Sequence, residues 1–82
     1  MNMNQIKVEL LFSENECAKR LGIDFLTVRR YRERNIIRPI LFKARSFVIY
    51  DARELCETLI ERGKSDVVRH GAMRWLNELQ TV

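Results

Sequence analysis

At 82 residues the chain is long enough for one small domain, and with hydrophobic residues at 46% it can build a modest core. Its net charge of +4 with charged residues at 32% points to a basic protein with an anionic partner. One histidine and two cysteines without a CxxC spacing exclude a zinc cluster, and no glycine-rich phosphate loop or membrane-length apolar run is present.

Met1 to Gln5 reads as a loose end. Ile6 to Phe12 is apolar and rich in β-formers, so it is either a short strand or an extended lead-in. Ser13 is placed to cap a helix, with Glu16 three residues on completing a capping box. Ala18, Gly22 and Val28 then fall at relative spacings of zero, four and ten. That spacing suits a helix-turn-helix. A small residue sits where the helices touch, a glycine turns with positive φ, and an apolar residue reaches back from the second helix. Leu21, Ile23 and Tyr31 fill the other inward positions, and Asp24 is the expected cap of a second helix over Phe25–Asn35.

The outward face of that second helix is basic. Thr27, Arg30 and Arg34 share one side, with Arg29 and Arg32 flanking them and Glu33 as the one acid. Like charges at this spacing weaken an isolated helix, so the pattern points to a polyanion, and the major groove of DNA fits a helix so decorated. From Lys19 to Tyr50 nine lysines and arginines stand against Asp24 and Glu33, a net +7 between flanks that are slightly acidic. This is the footprint of a localised nucleic-acid site.

Asn35 and Pro39 end the helix, since Asn tolerates the left-handed region and proline pushes Arg38 out of helical conformation. Ile40 to Phe42 and Phe47 to Tyr50 read as two strands around Lys43-Ala44-Arg45-Ser46, a hairpin with a basic tip. After a helix-turn-helix such a hairpin is a wing, which follows phosphates or enters the minor groove. Asp51 and Glu54 start a third helix, whose stripe is Leu55, Cys56, Leu59 and Ile60, and Gly63 stops it. Ser65 or Asp66 starts a last helix with Val68, Ala72, Trp75, Leu76 and Leu79 on one stripe. That stripe either joins the core or binds a neighbouring protein through Trp75. Gly71 is expected to loosen the middle of this helix, and His70 lies off the stripe in solvent. Cys17 and Cys56 occupy apolar helical positions and read as core residues in a reducing cytosol, with one disulfide between them as the alternative.

In their order, the helix-turn-helix, proline-containing link, basic hairpin and closing helix resemble the excisionase family. These are small winged-helix proteins related to the DNA-binding domain of MerR-type regulators. Thr27-Val28-Arg29-Arg30-Tyr31, with Arg34 and Pro39 downstream, is similar to the Thr-Val-Arg-Arg-Trp segment of lambdoid phage excisionases, and the likeness spans roughly Leu11 to Ile60. It implies a mainly α winged helix-turn-helix over residues 1–64, followed by an amphipathic helix over 65–82 that packs or self-associates. It further implies a recombination directionality factor of a phage or mobile element. Such a protein binds and bends double-stranded attachment-site DNA and assists a tyrosine integrase, with no catalytic residue, cofactor or metal of its own.

The recognition-helix contacts would be Leu26, Thr27, Arg29, Arg30, Arg32 and Arg34, and the wing contacts Lys43, Arg45 and Ser46. Lys19 and Arg20 would meet phosphates. Val68, Trp75, Leu76 and Leu79 would support self-association on DNA. Where the family's wing often turns on glycine, Ala44 and Ser46 stand here, and the Trp75 stripe replaces a basic tail. The implied setting is the cytoplasm of a bacterial host, at the nucleoid. A small transcriptional regulator of AlpA type is the alternative within DNA binding, and a protein-interaction adaptor the alternative outside it.

Overall fold

The computed structural model describes residues 8–44 and 47–80. One turn of 3-10 helix, Val8–Leu10, leads into strand β1, Leu11–Ser13. Helices α1, Glu14–Leu21, and α2, Phe25–Glu33, follow. Strands β2, Leu41–Ala44, and β3, Phe47–Asp51, form a hairpin ahead of helices α3, Ala52–Arg62, and α4, Asp66–Gln80. The chain is thus mostly helical, with a small antiparallel sheet in the order β1-β3-β2. The lead-in segment is 3-10 helix at Val8–Leu10 and strand from Leu11, and Met1 to Lys7, with the expected loose end, lie outside the described residues.

Each boundary has a local cause. The Ser13 hydroxyl accepts the Glu16 N–H at 3.1 Å and starts α1. Gly22, at φ 73°, ends it, and Ile23 N–H reaches back to the Ala18 carbonyl at 3.1 Å. Asp24 starts α2 by backbone alone. Its carbonyl accepts the Thr27 N–H at 3.0 Å, while its side chain makes no capping bond. Helix α2 stops at Glu33, short of the expected Asn35, because Asn35 adopts φ 61° and Ile36 N–H returns to the Tyr31 carbonyl at 3.0 Å. Beyond Pro39, Ile40 N–H joins the Ile49 carbonyl at 2.8 Å and opens the hairpin, which carries a bulge between Phe42 and Ala44. The Asp51 carboxylate accepts the N–H groups of Arg53 and Glu54 and starts α3. The Ser65 hydroxyl accepts the Val68 N–H at 3.3 Å, so Ser65 rather than Asp66 caps α4.

All four helices and the sheet share one core. Trp75 and Ala72 of α4 are fully buried, as are Cys17 of α1 and Cys56 of α3, both free thiols. The Trp75 ring meets Phe12 edge-on, with centroids 5.2 Å apart. Val68 is buried too, and Leu76 and Leu79 pack half-buried against the same cluster. Of the two uses open to this stripe, packing in its own core or binding a neighbouring protein, Val68, Trp75, Leu76 and Leu79 take the first. The stripe packs on the core that the other helices and the sheet share.

Gly71 also has a role other than the expected one. A Cβ there would overlap the carbonyl oxygen of Leu21, the last residue of α1. Glycine lets α4 lie directly on the end of α1, where the Arg74 guanidinium donates to that same Leu21 carbonyl at 3.3 Å. In a solvent-facing helix, glycine to alanine gains about 1 kcal/mol. Gly71→Ala is expected to reverse that sign and lose about 1–3 kcal/mol through overpacking, read as a lower urea midpoint with an unchanged slope.

Candidate nucleic-acid interface

Helix α2 presents its surface because α1 holds its inner side. Val28 and Tyr31 are buried against Ala18 and Leu21, and the Tyr31 hydroxyl accepts the Lys64 N–H at 2.6 Å. Leu26, Arg30 and Arg34 face solvent. Arg30 and Arg34 have no ion-pair partner among the described residues, so their charges are available to a ligand. Thr27 is half-buried beside them.

The remaining arginines are engaged to different degrees. Arg29 lies 3.5 Å from Glu33 one turn on, with both side chains well exposed, an arrangement that contributes a few tenths of a kcal/mol at most. Arg20 pairs with Glu16 at 3.2 Å and lies over the Phe12 ring at 5.1 Å, while Lys19 is exposed.

Arg32 is a correction. Expected among the recognition-helix contacts, it turns inward and grips the Glu14 carboxylate with two groups, Nε at 2.7 Å and Nη2 at 3.2 Å. Glu14 is 4% exposed and also accepts the Tyr50 hydroxyl at 2.5 Å. The outer face of the Arg32 guanidinium stacks over Phe42 at 4.8 Å. Burial, and then the bond to the Glu14 carboxylate, push the Tyr50 hydroxyl far above its ordinary range. The bond to Glu14 likewise raises Arg32. Sequence reading passed over Glu14, although a signal existed: Glu14, Cys17, Ala18 and Leu21 occupy one inward stripe of α1.

Two depressions flank α2. On the hairpin side a groove of about 350 Å³ is lined by Phe25, Arg29, Arg32, Glu33 and Phe42. On the other side a hollow of about 270 Å³ gathers Arg30, Arg34 and Lys64 with Thr27 and Ser65. Lys64 was not anticipated, because it is distant in sequence and reaches α2 only through the turn between α3 and α4. On the hairpin, Lys43 is exposed. Arg45 and Ser46, the other expected wing contacts, lie outside the described residues. Among the described residues no helix is long and apolar enough to cross a membrane.

Compared with models of protein families, with curated proteins and with solved structures, the chain has no match.

Two tests follow from the buried network. Glu14→Ala leaves Arg32 and Tyr50 without their acceptor and should cost about 2–4 kcal/mol, whereas Tyr50→Phe, which removes one bond to a charged acceptor, should cost about 1.5–3 kcal/mol. Urea unfolding of both variants checks the order. The second test is pH. Burial raises the Cys17 and Cys56 thiols from 9.0 to about 12, and Tyr50 moves the same way. Groups raised on folding stabilise the native state below their unfolded pKa and lose that contribution as pH climbs past it. The urea midpoint should therefore decline from about pH 9 upward, and Cys17→Ala with Cys56→Ala should flatten that decline.

Proposed function

We propose that this chain binds double-stranded DNA as a winged helix-turn-helix protein and acts as an excisionase, a directionality factor that bends attachment-site DNA and assists a tyrosine integrase. The observation that carries the DNA-binding part is the division of labour among the arginines. Arg32 is consumed by Glu14 in the core, while Arg30 and Arg34 stand exposed on the outer face of α2, with no ion-pair partner among the described residues. A merely solvated helix face would pair such charges with nearby acids. The excision role rests on the sequence resemblance. The complete burial of Trp75 leaves a protein-adaptor reading without its anchor.

In this reading α2 enters the major groove. Arg30 and Thr27 reach base edges, with Leu26 against a thymine methyl. Arg34, Lys19, Arg20 and Lys64 meet phosphates, and the hairpin carrying Lys43 lies along the neighbouring minor groove.

The test is a gel shift on attachment-region DNA of the source element against scrambled DNA, over a salt series. Discrete ladders on attachment DNA that fade steeply with salt are expected. Arg30→Ala should cost about 1–3 kcal/mol on the preferred site and relax sequence preference, while Arg34→Ala should weaken all sequences alike and lower the salt slope by about 1. Binding unchanged by both substitutions would remove α2 from the groove. No binding to any duplex would end the DNA reading.

A further inference from the structure

The groove between α2 and β2 differs in character from the cationic hollow on the other side of the helix. Its walls are two phenyl rings left in solvent, Phe25 at 36% and Phe42 at 54% exposure. The guanidinium of Arg32, beside Phe42, is already neutralised by Glu14. Arg29 and Glu33 complete the lining, as an exposed pair 3.5 Å apart. The groove therefore sets two exposed phenyl rings beside an exposed Arg29–Glu33 ion pair. It lies between the two elements that the DNA reading brings to the duplex, the helix bearing Arg30 and the strand bearing Lys43.

We propose that this groove seats the backbone of one DNA strand, with deoxyribose against Phe25 and Phe42 and a phosphate on Arg29. This rests on the DNA reading above and specifies how a strand passes between helix and hairpin. The chemistry selects the occupant. A nucleotide backbone alternates an apolar sugar face with an anionic phosphate, matching two rings beside one guanidinium. An acidic peptide would have no use for the rings, and a purely apolar peptide none for Arg29. Glu33 then has a definite sign. It holds Arg29 in the free protein and repels the arriving phosphate, so Arg29 must exchange one anion for the other.

The apolar contact can be separated from the ionic one by salt. Sugar contacts release no counterions, whereas each phosphate contact does. The experiment measures the Kd of the full chain by anisotropy of a labelled attachment-region duplex and a scrambled one, at several salt concentrations. Trp75 emission and urea midpoints confirm that each variant is folded. Phe25→Ser, at an exposed first helical position, should weaken both duplexes by roughly five-fold at every salt concentration, as expected for losing one modest apolar contact, with the salt slope unchanged. Phe42→Ser should do the same. Arg29→Ala should lower the slope by about 1, and Glu33→Gln should tighten binding to both duplexes.

Arg34→Ala serves as the reference. If it lowers the slope while Phe25→Ser and Phe42→Ser leave Kd unchanged, the groove is empty in the complex and this inference falls while the DNA reading stands. If the phenylalanine variants change the preference between duplexes, the rings touch bases and the sugar assignment is wrong. If the unaltered chain binds neither duplex, both readings fall together.

Discussion

Glu14, Arg32 and Tyr50 come from α1, α2 and β3, and the carboxylate between them is almost out of water. A charge in that position is tolerated only when it is hydrogen-bonded, and here two N–H groups of the one Arg32 guanidinium and the Tyr50 hydroxyl donate to it. The arrangement has a geometric effect beyond its energy. A bidentate pair fixes the guanidinium plane, and that plane carries Phe42 of β2 on its face. The rotation of α2 about its axis and the position of the hairpin are therefore set by the same carboxylate. An apolar replacement of similar volume could match the stability but would not specify both.

That constraint sorts the basic residues. By sequence they form one undifferentiated positive stretch, yet each ends in a different electrostatic state. Arg32 is spent internally, Arg29 and Arg20 are held by surface acids, and Arg30 and Arg34 have no ion-pair partner among the described residues. The free charges lie on the ridge and one flank of α2, while the other flank combines two phenyl rings with the paired charges of Arg29, Arg32 and Glu33. The face is thus asymmetric about the helix axis, with unpaired cations on one side and phenyl rings beside paired charges on the other.

Much of this was legible because its causes are local. The spacing of Ala18, Gly22 and Val28, the caps at Ser13 and Asp51, and the left-handed Asn35 each depend on residues within a turn or two, and each was read correctly from the chain. The failures share a different cause. Arg32 lies one turn beyond Val28 on the inward side, but whether an arginine there faces solvent or core depends on an acid eighteen residues away. Gly71 looked like a weak point because propensity considers only its own helix, whereas its neighbour is the Leu21 carbonyl. Trp75 announced an apolar stripe, and periodicity cannot say which surface a stripe will cover. Lys64 reached the basic face by a turn in the chain that no motif marks.

The contact between Gly71 and the end of α1 has a consequence for the order of assembly. Leu21 and Arg74 are separated by 53 positions, while the α1–α2 pair and the hairpin close over short loops. Short loops close early and cheaply, and distant ones late. During synthesis the α1–α2 pair and the hairpin can form as soon as they are made, but Phe12 and the end of α1 stay uncovered until Gly71 and Trp75 have left the ribosome. A nascent chain halted before that point would display the apolar floor of the domain beside its basic face.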